Sequence, residues 1–313
     1  MSENEQNSSN WEREVLEKLA FQSLKEQKRN RFWSVFFKSL TFIWLFLMLF
    51  YMLNWIGGTS GNSAEDHTAL IDIQGEIGAQ DQVNADSVVS SLHDAYDNKH
   101  TKGVILRINS PGGSPVQAGI INDEIKRQRT LHPEIPVYAV VEDICASGGY
   151  YIAVAADKIY VDKASIIGSI GVLMDGFGFT GAMEKFGVER RLMTAGENKA
   201  MLDPFSPVNP KHKVLAQAML NEVHQQFIHV VREGRGDRLK ETPETFSGLF
   251  WSGEAGIKMG LADELGSYEY VAREVIKQEN IVDFTASEGL ADRVARKFGA
   301  SMTQSMFKGM GLH

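Results

Sequence analysis

Residues 39–56 form an apolar run without a charged side chain, and a run of this length limits the chain to few architectures. As an α-helix it would be about 27 Å long, close to the roughly 30 Å hydrocarbon core of a bilayer. Trp33, Tyr51 and Trp55 lie near its ends, where aromatic rings favour the membrane interface, and Lys38 can extend its ammonium group towards the headgroups. We therefore predict a transmembrane signal anchor at 39–56, in preference to a helix buried in a soluble core.

Basic residues flank this run asymmetrically. Those before it are Arg13, Lys18, Lys25, Lys28, Arg29, Arg31 and Lys38. After it, no Lys or Arg occurs until Lys99. The positive-inside rule therefore predicts a cytoplasmic N-terminus, with the rest of the chain on the opposite side of the membrane. The preceding segment is longer than a usual signal-peptide n-region, which favours an uncleaved anchor, although small residues at 57–64 leave late cleavage as an alternative.

Composition and patterning divide the chain into five parts. We predict a cytosolic amphipathic stub (1–38), the anchor (39–56), a flexible Gly/Ser-rich linker (57–66), one folded domain (67–284) and an amphipathic tail (285–313). The formal net charge of −8 lacks the basic footprint of nucleic-acid binding, so we expect no nucleic-acid partner. The single cysteine excludes an intramolecular disulfide.

Strand-like and helical patterns alternate through the predicted domain. Strand patterns occur at 67–75, 102–108 and 136–146, and helical periodicity at 84–98, 115–131 and 210–233. Strands that alternate with helices indicate an α/β fold with crossover connections. We see no internal repeat in the sequence, so a duplicated two-domain chain is not expected.

Two glycine-bearing turns follow predicted strands: INSPGGS at 108–114 and ASGG at 146–149. Glycines permit backbone conformations in which N–H groups point outwards, so adjacent turns of this kind can stabilise a developing oxyanion. Ser147 lies in the second turn, at a strand-to-helix junction where the helix dipole favours negative charge. From these residues alone, ordinary strand-to-helix loops remain an equal alternative.

A serine nucleophile needs a base, and the sequence offers two kinds. The histidines are His67, His93, His100, His132, His212, His224, His229 and His313. None lies in a triad context, and the HExxH zinc pattern is missing from the sequence, so we expect no metal and no cofactor. A neutral lysine can serve as the base instead, and Lys199 lies in a loop rich in glycine, asparagine and proline at 195–207.

Three stretches resemble the signal peptide peptidase A (protease IV) family of membrane-anchored Ser–Lys peptidases. They are LRINSPGGS (106–114), CASGGYYIAVAADKIYVDKASIIGSIGV (145–172) and GENKAMLDPFSP (196–207). A fourth, WSGEAGIKMGLADELG (251–266), resembles the C-terminal signature of the family. The resemblance covers roughly 68–270 and implies an α/β crotonase/Clp-protease-like superfold of repeated ββα-type units. The NSPGG turn by itself is shared with other members of that superfold.

Carried over residue by residue, the resemblance implies Ser147 as the nucleophile and Lys199 as the general base. The backbone N–H groups of Gly113 and Gly148 match the oxyanion-hole positions of the family, and Ser169 matches a serine that orients the lysine. Asn198 stands where relatives often have an aromatic residue, which leaves the loop conformation open. Cys145 is then expected to pack beneath the turn as a small hydrophobe.

The resemblance also implies a setting for this chemistry. The expected protein is a serine endopeptidase of the bacterial inner membrane, with its catalytic domain on the periplasmic side. Its expected partners are the bilayer, apolar peptides near the membrane such as remnant signal peptides, and copies of itself. Relatives with one catalytic half per chain form rings, and an octamer is the candidate size. Ser147 and Lys199 then come from one subunit or from two.

Three alternatives stay open at this point. A crotonase-type acyl-CoA enzyme would share the fold, but the membrane anchor places it away from cytosolic CoA. A catalytically inactive scaffold would bind membrane peptides without cleaving them. A peptidase acting in quality control of membrane proteins would use the same residues on other substrates.

Overall fold

The computed structural model describes residues 3–56 and 64–286. Within these ranges, the side chains of 3–20, 22–24 and 51–56 are not described. The chain forms two units that divide after Ser60, and each is described by itself. Most of the predicted linker and all of the predicted tail beyond Ala286 lie outside the described residues. The division of the chain into five parts therefore stays a prediction.

The first unit contains a single helix, α1, over Glu3–Ile56. Within it, Lys25–Phe50 is long and apolar enough to cross a membrane, and none of this stretch is buried against other protein. The aromatic rings of Trp33, Phe36 and Phe37 contact one another just before the apolar run of 39–56. These findings are compatible with a membrane anchor, while the side on which each end lies stays a prediction.

The second unit is an eight-stranded sheet with helices on its faces. Its strands are β1 (His67–Gln74), β2 (Thr101–Ser110), β3 (Val137–Ala146), β4 (Lys158–Val161), β5 (Ile166–Gly168), β6 (Phe250–Ser252), β7 (Glu264–Leu265) and β8 (Ile281–Asp283). Its helices are α2 (Ala85–Asp97), α3 (Pro115–Leu131), α4 (Gly148–Ala153), α5 (Thr180–Phe186), α6 (Pro210–Arg235), α7 (Gly253–Met259) and α8 (Tyr268–Tyr270), the last continuing as a π-helix over Val271–Ile276. The predicted α/β class is confirmed.

The sheet order is β6-β5-β3-β2-β1-β8, and all pairs along it are parallel except β5–β6. Strand β3 forks the sheet, because residues 138–140 pair with β4 and residues 144–146 pair with β5. The fork places the end of β3 directly beside the end of β5. The turn that follows β3 and the turn that follows β5 therefore lie side by side.

Local sequence signals explain where the helices begin. The side chains of Asn84, Ser114 and Asn209 accept hydrogen bonds from the first turns of α2, α3 and α6, respectively. Proline occupies the first position of both α3 and α6, where its fixed φ suits a helix start and its missing N–H costs no hydrogen bond. The helices predicted at 84–98, 115–131 and 210–233 are confirmed within a few residues.

A buried ion pair fastens the end of α6 to the sheet. Arg235, only 1% exposed, donates two hydrogen bonds of 2.9 Å to the carboxylate of Asp263. The Ile159 N–H donates to the same carboxylate over 2.7 Å. Burial by itself raises the pKa of Asp263, but the hydrogen bonds and charge of Arg235 outweigh it and hold this pKa below its usual value.

We expect Asp263→Asn to destabilise the domain by about 3–5 kcal/mol, because it leaves the Arg235 guanidinium buried without a counter-charge. Since folding lowers the pKa of Asp263, the pair stabilises the fold at neutral pH. That stabilisation is lost in wild type as the pH falls below the unfolded value of 3.8. Thermal and urea unfolding measure both effects. The matched control is Glu264→Gln, which removes an exposed pair with Lys158 and should cost less than about 1 kcal/mol. Equal losses in the two variants would contradict the prediction.

Candidate active site

The carboxyl ends of three neighbouring parallel strands meet at one edge of the sheet. A glycine turn at 111–114 follows β2, Ser147 follows β3, and Ser169 follows β5. In open α/β sheets, ligands bind beyond the carboxyl ends of the strands. This edge is therefore the candidate site, and it contains four of the five residues that the resemblance implied.

Ser147 occupies a sharp strand-to-helix turn. Its backbone has φ 51° and ψ −121°, an unfavourable conformation for a residue with a side chain. Two hydrogen bonds hold this turn: the Ser147 N–H donates to the Gly168 carbonyl oxygen, and the Tyr151 N–H donates to the Ser147 carbonyl oxygen, both over 2.9 Å. Among the described residues the Ser147 hydroxyl has no hydrogen-bond partner, so the turn holds in place a hydroxyl free to react.

The turn after β2 requires glycine at two successive positions. Gly112 has φ 106° and Gly113 has φ 145°, values that residues with a Cβ rarely adopt. Ile77 brackets this turn, because its N–H donates to the Gly112 carbonyl oxygen over 2.9 Å and its carbonyl oxygen accepts the Ser114 N–H over 2.7 Å. A Cβ on Gly113 would lie only 2.1 Å from the Ile77 carbonyl oxygen. No other residue fits there without moving the turn.

The two glycine turns approach each other beside Ser147. A Cβ on Gly112 would lie 2.7 Å from both the Gly148 nitrogen and the Ser147 Cβ. A Cβ on Gly148 would lie 3.2 Å from the Gly113 nitrogen. Within residues 64–286, neither the Gly113 N–H nor the Gly148 N–H donates a hydrogen bond to a protein acceptor. The arrangement thus offers two unused donors next to a serine hydroxyl, and an oxyanion hole requires donors placed in this way.

Ser169 lies beside this turn and also has a positive φ, 51°. Its N–H donates to the Leu249 carbonyl oxygen over 2.7 Å, and the preceding Gly168 carbonyl oxygen accepts the Ser147 N–H. The fork in the sheet thus brings Ser169 next to Ser147. Its predicted role of orienting the lysine stays a prediction, because no hydrogen bond within the described chain joins it to Lys199.

Lys199 is the predicted site residue for which the described chain shows no hydrogen bond to the other four. It lies in a run of turns within residues 171–209, a segment that we call the arm. The side chain of Lys199 is exposed, and its backbone N–H donates to the Gly196 carbonyl oxygen over 3.1 Å. In the described part of the chain, no hydrogen bond joins its side chain to Ser147.

The arm exposes an unusual amount of apolar surface. Five of its large apolar side chains are 75–95% exposed: Leu173, Phe177, Phe186, Met193 and Val208. A cavity of about 570 Å³ lies between the arm and the start of α6, but neither Ser147 nor Lys199 lines it. Exposed large apolar side chains concentrated in one segment are typical of an interaction surface.

The remaining candidate nucleophile and bases lie elsewhere. Cys145 is fully buried, and burial raises the pKa of its thiol, so this residue packs as a small hydrophobe and stays protonated. No described histidine hydrogen-bonds to Ser147; His224, on α6, contacts the Ile170 carbonyl oxygen over 3.2 Å. The described residues also contain no group of three or more His, Cys, Asp or Glu side chains that could hold a metal ion.

Two residues that support the site were missed in the sequence. Ile77 clamps the glycine turn from 35 residues away, and its only signal was an apolar residue in a polar loop between Gly75 and Gly78. Leu249 supplies the carbonyl oxygen that holds Ser169, and no local pattern marks it. Both residues act through backbone atoms, which every residue type has, so the type of residue at these positions does not reveal the contact.

Comparison with known proteins gives a consistent family. The family model for peptidase family S49 matches residues 129–282, which include Ser147, Ser169 and Lys199. A protein of Synechocystis sp. that is named as a protease is 30% identical over 207 residues, 66% of this chain and 72% of that protein. Protease 4 of Haemophilus influenzae is 32% identical over 219 residues, 69% of this chain and 35% of that protein.

Another relative has a higher sequence identity, but the match covers a smaller share of that relative's length. The Na(+)/H(+) antiporter NhaA of Brucella abortus is 44% identical over 188 residues, 60% of this chain and 25% of that protein. This chain therefore spans about a quarter of the length of that relative. So small a share does not carry the name of the whole antiporter to this chain.

Proposed function

Because this chain belongs to peptidase family S49, whose fold is of the crotonase/Clp-protease type, we propose that it is a membrane-anchored serine endopeptidase with a Ser–Lys dyad. Ser147 is the nucleophile and Lys199 the general base. The observation that carries this proposal is the strained turn at Ser147, whose unbonded hydroxyl lies beside the unused N–H groups of Gly113 and Gly148.

The proposed reaction is acyl transfer in two steps. The Ser147 oxygen attacks the peptide carbonyl carbon while Lys199, in its neutral form, takes the hydroxyl proton. The Gly113 and Gly148 N–H groups donate to the oxyanion of the tetrahedral intermediate. Lys199 then gives its proton to the leaving amine, and finally activates the water that hydrolyses the Ser147 ester.

The position of Lys199 supports a dyad shared between subunits. The lysine is exposed on a single chain, and burial would favour the neutral form that a base requires. It lies on the arm, whose exposed apolar side chains would be covered by a second copy of the chain. We therefore propose a homo-oligomeric ring, with an octamer as the candidate size, in which the arm of one subunit brings Lys199 to Ser147 of its neighbour.

The proposed substrates are apolar peptides in or near the bilayer, including remnant signal peptides. The apolar helix within α1 supports this class, because tethering an enzyme to the membrane raises its effective concentration towards membrane-derived peptides. The proposed location is the bacterial inner membrane, with the N-terminus cytoplasmic and the catalytic domain periplasmic. Digestion of membrane-protein fragments in quality control would use the same site.

Active-site acylation tests the proposal directly. The full chain in detergent is treated with a serine-directed acylating reagent, and peptide mass mapping locates the adduct. An adduct on Ser147, together with cleavage of a fluorogenic apolar peptide, is the expected result. An assembled protein that neither cleaves nor acylates would favour the peptide-binding scaffold, which is also compatible with the lack of a hydrogen bond between Lys199 and Ser147 in the described chain.

Gly113→Ala is expected to lower kcat by about 10²–10³, the usual cost of one oxyanion donor. The new Cβ would lie 2.1 Å from the Ile77 carbonyl oxygen, so the turn must move and take the Gly113 N–H with it. Steady-state cleavage of the fluorogenic peptide measures kcat and KM. The matched control is Gly119→Ala on α3, where a Cβ meets nothing within 4 Å, and it should keep wild-type activity. A Gly113→Ala enzyme with wild-type kcat would remove Gly113 from the oxyanion hole.

A further inference from the structure

Ser110 is a buried hydroxyl residue directly beneath the site, and the proposed mechanism gives it no role. It is the last residue of β2 and is fully buried. Its Oγ accepts a hydrogen bond from the Gly112 N–H over 3.2 Å. This contact fixes the Pro111–Gly112 peptide group, which directly precedes the peptide group that carries the Gly113 N–H.

Ser110 also contacts the second turn of the site. In the β2–β3 register it pairs with Cys145, two residues before Ser147. A Cβ on Gly149 would lie 3.1 Å from the Ser110 carbonyl oxygen and 3.3 Å from the Ser110 Cβ, so α4 begins in close contact with this residue. One small side chain thus lies between the turn of Gly113 and the turn of Gly148.

The glycine turn needs such a support. Gly112 and Gly113 have no side chains to restrict their backbone, and Ile77 holds them from one side only, at the Gly112 carbonyl oxygen and the Ser114 N–H. The Ser110 hydroxyl holds the Gly112 N–H on the other side. An oxyanion hole is effective because its donors are already oriented before charge develops.

We propose that Ser110 is a positioning residue that orients the Gly113 N–H for the oxyanion, an inference that rests on the proposed function. The serine acts through the Gly112 peptide group and does not touch the substrate. It therefore affects binding of the tetrahedral intermediate and leaves binding of the ground-state peptide unchanged.

Ser110→Ala tests this role, because it removes the hydroxyl and keeps the Cβ that packs against Gly149. We expect kcat to fall about tenfold while KM stays within about twofold, because a displaced donor weakens transition-state binding alone. A peptide aldehyde, which forms a tetrahedral adduct with the nucleophile, should lose affinity by the same factor as kcat/KM. The affinity for the matching peptide acid should not change.

The matched control is Ser165→Ala, the loss of another buried hydroxyl. Ser165 is 2% exposed, its Oγ donates to the Glu142 carbonyl oxygen over 2.5 Å, and it lies outside the oxyanion turns. This variant should keep wild-type kcat, whatever it loses in melting temperature. The proposal is overturned if Ser110→Ala keeps wild-type kcat, if its loss lies in KM, or if both variants lose kcat equally. An inactive wild type would instead overturn the proposed function. The failure of the Ser110 proposal, which requires an active wild type, is therefore distinguishable from the failure of the proposed function.

Discussion

Ser147→Ala is expected to lower peptide cleavage by about 10⁴-fold or more, the scale on which serine peptidases respond to loss of the nucleophile. The fold should be unaffected, because the Ser147 hydroxyl makes no hydrogen bond within the described residues. Alanine keeps the same backbone preference at φ 51°, so the strained turn gains no new conflict. Cleavage of a fluorogenic apolar peptide measures the loss, and circular dichroism with light scattering verifies fold and assembly.

Cys145→Ala is the control for this experiment. Cys145 lies near the end of β3, two residues before Ser147, and also carries a nucleophilic atom, but it is fully buried. Its replacement should lower the melting temperature through lost packing and leave kcat close to wild type. The reverse pattern, with activity lost in Cys145→Ala and kept in Ser147→Ala, would transfer the chemistry to the cysteine.

The parts of this site that follow from sequence are those with local signals. The strand pattern at 136–146, followed by small residues, predicts both β3 and the turn at Ser147, and the INSPGGS segment predicts the turn after β2. Their proximity does not follow from either segment. It depends on β2 and β3 being adjacent and parallel, a long-range pairing that brings Gly112 against Ser147.

The parts that sequence could not supply depend on tertiary geometry. The fork of β3 between β4 and β5 places the Gly168 carbonyl oxygen at the Ser147 N–H, and no residue pattern marks a strand that changes partner halfway along. Ile77 likewise acts through its backbone. The role of Lys199 came from resemblance, since an exposed lysine in a turn has no local feature that distinguishes it from a solvated one.

Mixing two inactive variants in one oligomer tests whether the dyad is shared between subunits. Ser147→Ala chains keep the lysine, and Lys199→Ala chains keep the serine. If the arm of one subunit serves the serine of its neighbour, unfolding and refolding an equal mixture should restore activity in about a quarter of the sites, because random assembly around a ring pairs an intact serine with an intact lysine that often.

A dyad shared between subunits and a dyad within one chain give clearly different activities in this experiment. A dyad within one chain leaves every site of the mixed oligomer defective, so activity stays at the level of the separate variants. Each variant refolded alone is the baseline, and wild type carried through the same treatment gives the recovery to expect from complete sites. A second mixture adds Met193→Asp to both chains, which places a charge at the most exposed large apolar position of the arm, where the Met193 side chain is 95% exposed. If the arm packs on a neighbour, burial of this carboxylate is unfavourable, and both assembly and restored activity should fall together. Activity restored in oligomers that still assemble with Met193→Asp would retain the shared dyad and remove Met193 from the contact that delivers Lys199.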